Sequence, residues 1–421
     1  MRIPDIAFFD TFIKYDRIRE KDLERYTREL ASGKKILTPS DNTVDNVRSL
    51  RFKRLSEDIQ TFNRNIDLVK TSLDIAESTL GDIVETSKEV RVDIVNILNT
   101  GVLDYEDAQI FKDYFQSIRN YIIKQANVSI GDSRIFGGVK SQIDPFDQRG
   151  IYQGEFVDTT VPVAPGVELN TTFIGKDYLG TIQSGVWVDS NSNNTVDPEE
   201  VSHKIGVVKA VDDILQIIDQ GDLSKLPAYY SDMGYTSPAD NIVGAGESGN
   251  LTINYGSSSF TVAYDSSMTL NDLVNAINTN PSNTDPDGNR LVEAFVFQDR
   301  DGVYRLGLSG KDPDINISVS DSSGSLSKRL GEIRRILETF DLGFDKVSQH
   351  RSIIGTQINV ADDLKMIGQQ QYVELQNLIS KLEDADYAGA ITELEKARTA
   401  YQALLASIAQ NKDLSLLKYF D

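Results

Sequence analysis

The stretch that decides the fold is FKRLSEDIQTFNRNIDLVKTSLDIAESTLGDIVETSKEVRVDIVNI, residues 52–97. From Phe52 to Ile97 apolar residues recur at alternating steps of three and four, and only Ser87 interrupts them. This heptad spacing predicts one unbroken helix of about 70 Å with an apolar seam for a partner helix. A compact domain does not need so long a seam, so the pattern favours an assembly protein over an enzyme.

A second apolar series lies near the other end of the chain. It starts at Leu326, includes Ile333 and Phe340, and continues past Ile358 to Leu382. The two chain ends are therefore predicted to build long antiparallel helices that pack on each other as a bundle, with the rest of the chain inserted between them.

Local signals predict where these helices begin and end. Gly33 is expected to end a first, weaker helix, and Ser40 to cap the helix that carries the long seam. Asp104 is expected to cap a third helix that closes at Gly131. Residues 384–389 are predicted to break the last helical part of the chain.

The middle of the chain has a different character. Arg134 opens a run rich in β-formers, Gly and Pro, followed by a short predicted helix at residues 205–218 and a polar stretch at residues 229–248 that is typical of a linker. Beyond it, the pattern predicts two strands, the helix TLNDLVNAIN (269–278) and further strands. The predicted fold class is therefore α+β and multidomain, with a helical bundle stem and β-rich inserted heads.

Composition narrows the classes of partner. The 421 residues carry a net charge of −21, which disfavours nucleic acid and anionic lipid as partners. The chain has no cysteine, so disulfides and thiolate metal sites are excluded. We expect no Sec-type signal peptide, because the start lacks a basic segment followed by an apolar run, and no membrane insertion.

The search for catalytic residues finds little. His203 and His350 are far apart in sequence and are expected to be solvated or capping residues. No P-loop, zincin or hydrolase motif occurs, so we expect no enzymatic activity and no required cofactor.

One polar loop has the spacing of a calcium site. Oxygen-bearing side chains follow the positions of an EF-hand loop, and the ligands would be Asp189, Asn191, Asn193, Thr195, Asp197 and Glu200. Asn194 stands where such loops place Gly, and a strand rather than a helix precedes the loop. A structural Ca²⁺ site and an unoccupied polar turn both remain open.

The outermost segments carry thinner apolar seams, interrupted at Asp16 and Glu20. Because no local partner is evident, we expect these seams to pack against neighbouring molecules and to be disordered in the monomer. The predicted interface residues are Ile6, Phe9, Ile13, Leu23, Leu30, Leu394, Ala397, Tyr401, Leu404, Ile408, Leu414, Leu416 and Leu417.

Several short motifs resemble the flagellin superfamily. They are SGKK (32–35) with TPSD (38–41), RIFGG (134–138) with PF (145–146), IYQGE (151–155), and the closing LSLL (414–417). The proline before Ser-Asp resembles the hook-filament junction family more than the flagellins. Residues 249–254 and 269–278 look like a hook IN module, which is more usual in flagellins and cap proteins.

This resemblance implies a structural adaptor of the bacterial flagellum. Its partners would be copies of itself, the other junction protein, flagellin, and an export chaperone with the flagellar type III apparatus, and its location would be extracellular. A flagellin, or a secreted adhesin on a helical stalk, are the alternatives. Calcium is not part of the family pattern.

The expected domains follow from these patterns together. Terminal helices occupy 1–42 and 385–421, and a bundle stem occupies 43–132 and 325–384. A β-rich head occupies 133–238, and a hook IN-like module occupies 239–324.

Overall fold

The computed structural model describes residues 3–99, 105–193, 197 and 199–413. The helices are α1 (Ile3–Ser32), α2 (Thr43–Asn99), α3 (Tyr105–Ala126), α4 (Gly175–Tyr178), α5 (Gly206–Gln220), α6 (Leu270–Asn278), α7 (Ser325–Leu330), α8 (Ile336–Glu383) and α9 (Tyr387–Asp413). The fold is α+β, as predicted.

Most strands are short. They are β1 (Ser129–Ile130), β2 (Ser133–Arg134), β3 (Thr160–Ala164), β4 (Val167–Asn170), β5 (Thr181–Val186), β6 (Ser202–Ile205), β7 (Tyr229–Ser231), β8 (Met233–Gly234), β9 (Ser248–Tyr255), β10 (Ser258–Asp265), β11 (Val292–Gln298), β12 (Tyr304–Gly310), β13 (Ile317–Asp321) and β14 (Ile333–Arg335).

The chain forms two compact units. The terminal unit comprises residues 1–64 and 363–421, and the central unit comprises residues 65–362. In the terminal unit, α1 packs along α9. The domain boundaries proposed from the sequence stay predictions.

The long seam of α2 is buried throughout the central unit. From Ile66 to Ile97 every seam position is at most 4% exposed, including Ser87. Helix α8 supplies Phe340, Val347 and Ile354, each 0% exposed. Burial of each such side chain contributes about 1.5–3 kcal/mol, so this seam is the main core of the helical part.

Ion pairs fix the direction of α8 along α2. Arg91 binds Asp341 with two bonds of 2.6 and 2.9 Å, and Arg351 lies 2.8 Å from Glu77. Going along α8 from Asp341 to Arg351, the paired residue on α2 moves back from Arg91 to Glu77. The two helices therefore run antiparallel, which confirms the predicted arrangement.

The second seam is not continuous helix from Leu326, so that expectation is wrong. Helix α7 ends at Leu330, because Gly331 has φ 65° and its backbone leaves the helical region. Ile333 then lies in β14, which pairs with β7, and α8 begins at Ile336. Apolar spacing alone could not reveal a three-residue strand inside the series.

Two other boundary predictions are corrected. Asn42, not Ser40, caps α2, since its Oδ1 accepts the backbone N–H of Asp45 at 3.1 Å. Helix α3 ends at Ala126, and Gly131 instead occupies the turn between β1 and β2 with φ 58°. Asp104 lies outside the described residues. The predicted end of α1 at Gly33 and the break after Glu383 are both confirmed.

The stretch 229–248 is not a linker. Tyr229, Tyr230 and Ser231 are buried in β7, which lies between β12 and β14 in a four-stranded sheet of order β11-β12-β7-β14. Ile242 and Val243 join the same core as Leu306 and Leu308. Polar and Gly residues at the turns concealed these buried positions.

The strand–strand–helix–strand pattern of residues 248–321 is confirmed. Strand β9 is the centre of an antiparallel sheet of order β10-β9-β13, and α6 packs on β10 and β11. Thr269 and Asp272 close a capping box at the start of α6, which accounts for the sharp turn after β10. The predicted helix at 205–218 corresponds to α5.

A buried ion-pair network crosses the central unit. Lys204 lies 2.7 Å from Asp212 and 2.6 Å from Asp301, and Arg119 of α3 lies 2.6 Å from the same Asp212. Removing one partner of such a network leaves an uncompensated buried charge, at a cost of about 3–5 kcal/mol. The network therefore ties α3 and α5 to the loop after β11.

Within the described part of the chain, none of the helices combines the length and apolar character that crossing a bilayer requires.

Candidate assembly interface

The SGKK and TPSD motifs build the place where the two chain ends meet. The backbone oxygen of Gly33 accepts the N–H of Ala385 at 2.9 Å, and the N–H of Lys35 donates to the oxygen of Glu383 at 2.6 Å. These two hydrogen bonds form a short antiparallel β-bridge that joins the end of α1 to the break between α8 and α9.

Gly33 is required at this junction on two grounds. Its φ of 68° is left-handed, as expected after the last turn of a helix. A Cβ added there would lie 2.6 Å from the hydroxyl of Tyr387 at the start of α9. Any larger residue would therefore strain the backbone and displace the side chain of Tyr387, which is 55% exposed and can move.

The carboxylate of Glu383 is the centre of a polar cluster under this bridge. Lys34 lies 3.0 Å away, Ser49 donates a hydrogen bond, and Lys53 forms a second ion pair. Burial opposes ionisation of Glu383, but the bonds from Lys53, Ser49 and Lys34 together lower its pKa to about 2. The cluster thus joins α2, α8 and the turn after α1.

The TPSD motif holds the turn that leads into α2. Oδ2 of Asp41 accepts the backbone N–H groups of Thr38 at 2.8 Å and Leu37 at 3.1 Å. Hydrogen bonds from Thr38, followed by the one from Leu37, lower the pKa of Asp41. The motif has a structural explanation in this chain: it directs the backbone from α1 into α2.

The predicted interface residues are only partly placed at the surface. Ala397 is buried, Ile13 is 50% exposed, and the rest of the described set is half-buried. That half-buried set is Leu23, Leu30, Leu394, Tyr401, Leu404 and Ile408. The premise that these segments lack a local partner is wrong, because α1 packs on α9. Their role between molecules stays a prediction.

Five predicted interface residues cannot be placed. The side chains of Ile6 and Phe9, and the whole of Leu414, Leu416 and Leu417, lie outside the described residues.

A different set of apolar residues is exposed in the terminal unit, spread over α1, the turn after it, α2, α8 and α9. Among the side chains that the structure describes, fourteen large hydrophobic residues of this unit are exposed, against thirteen in the much larger central unit. They are Ile13, Tyr15, Ile18, Leu37, Val44, Val47, Leu50, Leu55, Met366, Ile367, Val373, Tyr387, Ile391 and Leu405. We call this set the exposed apolar face. Sequence analysis placed only Ile13 of this set at an interface, because most of its members lie off the heptad seam. Leu55 does lie on the predicted seam of α2, but it is 48% exposed, so its expected burial is wrong.

The terminal unit has little core of its own. Of its described apolar residues, six are buried, namely Ile36, Ile59, Leu375, Ile379, Ala390 and Ala397. This core is small for a unit of 123 residues, and the other described apolar side chains of the unit are half-buried or exposed.

The polar loop at 189–200 is an internally bonded turn. Glu200 Oε1 accepts from the backbone and hydroxyl of Ser190, both at 2.8 Å. The side-chain amides of Asn191 and Asn193 donate to Asp197 at 2.7 and 2.8 Å. A cation would therefore require both amides to turn their oxygens inward. Thr195 and Asn194 lie outside the described residues, and among those described no group of three acidic or histidine side chains is arranged to hold a metal.

Calcium binding by this loop stays a prediction with a direct test. Glu200→Gln should abolish any calcium binding, because it removes the carboxylate that would bind in bidentate fashion. Titration calorimetry of the full chain measures the effect, with the adjacent exposed Glu199→Gln as the matched control. If the unmodified protein gives no heat of binding at millimolar calcium, the prediction that this loop binds calcium is wrong.

The sequence predicts that the two histidines are solvated or capping residues. In the structure both are instead half-buried and packed into the central unit. The ring of His350 lies 4.7 Å from the ring of Tyr178. Burial, followed by the positive charge of Lys176, lowers the pKa of His203 to about 4. Burial also lowers the pKa of His350.

The central unit should therefore lose stability in mild acid. Neutral His203 is favoured in the fold, so its contribution is complete above pH 6.5 and declines as the pH falls toward 4, by roughly 1–2 kcal/mol once solvent screening of this half-buried ring is included. Urea unfolding followed by the fluorescence of Trp187, the single tryptophan, measures it. His203→Asn should flatten the slope between pH 6.5 and 4, while carboxylate titration stays common to both proteins. Parallel slopes would contradict the assignment.

By its fold, the chain is an α+β protein whose ends pair as helices and whose middle is rich in short strands. Neither a protein-family model nor a curated protein sequence matches it.

Solved structures show a remote likeness to flagellar proteins. One, described as a flagellar hook-associated protein from Vibrio parahaemolyticus, has 14% identity and a TM-score of 0.45, covering 82% of this chain and 100% of that one. FlgL of Bacillus cereus has 13% identity and a TM-score of 0.42, covering 78% and 99%. The flagellar hook associated protein-3 of Legionella pneumophila has 17% identity and a TM-score of 0.34, covering 88% of this chain and 99% of that one. Likenesses this remote do not decide what the chain does.

Proposed function

We propose that this protein is a structural adaptor of the bacterial flagellum that joins hook to filament. The observation that carries the proposal is the terminal unit, which has few buried apolar residues, many exposed ones, and the SGKK and TPSD motifs at its centre. In the assembled flagellum we expect neighbouring molecules to cover these exposed apolar side chains.

The proposed partners follow from this role. Copies of the chain associate through the exposed apolar face, with the other junction protein on one side and flagellin on the other. The chain reaches the outside of the cell through the flagellar type III apparatus, with a chaperone covering its C-terminal segment beforehand. The adaptor acts by binding alone, without catalysis.

Immuno-electron microscopy of purified flagella tests the proposal. Antibodies against the central unit should label one position, between hook and filament. Label along the whole filament would favour a flagellin, and label on the cell surface would favour an adhesin.

The order of the terminal helices is part of the proposal. We expect residues 1–42 and 385–421 to lack stable order in the isolated chain and to become ordered when neighbouring molecules cover them. The small core of the terminal unit supports this expectation.

Limited proteolysis should therefore remove about 40 residues from each end and spare the central unit, since cleavage follows local opening. Mass spectrometry of the fragments defines the cut sites. A chain that stays intact under conditions that digest a casein control would contradict the proposed order-on-assembly.

A further inference from the structure

The two units differ sharply in charge. The terminal unit contains 20 Lys and Arg and 20 Asp and Glu, so its net charge is zero. The central unit contains 23 Lys and Arg and 44 Asp and Glu, so it carries the whole net charge of −21. Exposed apolar side chains are about two and a half times as frequent per residue in the neutral unit, by the numbers given above.

The excess of carboxylates lies at the surface of the central unit. Its buried charges nearly cancel, since three cations face four anions among the described residues. They are Lys204, Lys209, Arg305, Asp212, Asp213, Asp232 and Asp299. The remaining excess therefore acts on whatever approaches the unit through solvent.

We propose that the charge of the central unit controls self-association, so that copies of this chain assemble through the neutral terminal unit only when that charge is screened. The proposal rests on the proposed association through the exposed apolar face. Apolar faces without net charge can approach closely at any ionic strength. Because both units belong to one chain, each association also brings two highly acidic units toward each other, and a large net charge keeps proteins monomeric.

Salt should therefore favour assembly. The Debye length falls from about 30 Å at 0.01 M to about 3 Å at 1 M ionic strength, so repulsion between acidic units weakens steeply over this range. Sedimentation velocity of the full chain over this range should show the dissociation constant for self-association falling by about tenfold or more.

A charge variant separates screening from the general effect of salt on apolar contacts. Asp132, Asp287, Glu293 and Asp314 are exposed in the central unit, and their carboxylates make no hydrogen bond or ion pair with the described residues. Changing all four to Lys shifts the net charge by eight, from −21 to −13. At low salt this variant should associate more tightly than the unmodified chain, because the repulsion between two copies scales with the product of their charges and falls to roughly 40% of its original value.

The matched control exchanges Asp for Glu, and Glu for Asp, at the same four positions and keeps −21. It should behave as the unmodified chain. Magnesium chloride at equal ionic strength forms another arm: an equal response supports screening, and a response to the divalent ion alone would overturn the proposal in favour of specific cation binding.

The outcomes distinguish this inference from the proposed function. Association that is unaffected by salt and by the four Lys substitutions would overturn charge control and leave self-association standing. A chain and variant that remain monomeric under every condition would overturn both.

Discussion

Removing residues 390–421 should leave the central unit folded and abolish attachment of the filament. The deletion takes away most of α9, with exposed Ile391 and Leu405, but starts after the break that follows Glu383. Burying apolar area contributes about 25 cal/mol per Å², and in the proposed adaptor this area is buried against neighbouring molecules. Cells carrying the truncation should make hooks, release flagellin into the medium and fail to swim.

A point variant isolates the exposed apolar face from the rest of α9. Ile391→Asp with Leu405→Asp should reproduce the loss of swimming, because charges then occupy the outward apolar positions. Thr392→Asp with Gln402→Asp, at exposed polar positions of the same helix, is the control and should swim. Normal filaments on the truncated cells would falsify the junction assignment and favour an adhesin.

Leu73→Asp should unfold the helical part of the central unit. Leu73 is 0% exposed on the seam of α2, so the substitution forces a carboxylate into an apolar core. The expected loss is about 4–5 kcal/mol or more, at the upper end for single substitutions. Thermal melting followed by circular dichroism at 222 nm should show a greatly lowered midpoint.

The same helix supplies the control. Leu68 is 57% exposed, and Leu68→Asp should change stability by no more than about 0.5 kcal/mol. Equal midpoints for the two variants would mean that the seam of α2 is not core.

The helices and the module at 248–321 could be predicted from sequence because they depend on local spacing. The heptad of α2 repeats over many turns, β10 alternates buried and exposed residues along most of its length, and the second half of β9 alternates buried and half-buried residues. A pattern that repeats over this many residues remains recognisable even where single positions, such as Ser87, depart from it.

The sequence predictions are wrong where a short strand or a single glycine determines the course of the backbone. β7 and β14 are three residues long, too short to show any period, and Gly331 ends α7 through a backbone angle rather than through its side chain. Tyr229 and Tyr230 are core residues, yet they stand in a polar stretch that composition assigns to a linker.

Only part of the candidate assembly interface could be predicted from the sequence. A seam shows that a helix needs a partner but not which one, so α1 and α9 could not be paired in advance. The Glu383 cluster depends on Lys34, which is 349 positions away, and no pattern in one sequence links the two. Exposed residues such as Val44 and Met366 have no periodic signal at all.

The bridge between Gly33 and Ala385 also joins two segments that are made at very different times during synthesis. Synthesis proceeds from the N-terminus, so Gly33 is made about 350 residues before Ala385, its bridge partner. Contacts between such distant segments form late, because the intervening loop must close first. A chain that stops short of Glu383 can therefore fold its central unit, but it lacks both the bridge to Gly33 and the carboxylate that Lys34, Ser49 and Lys53 share.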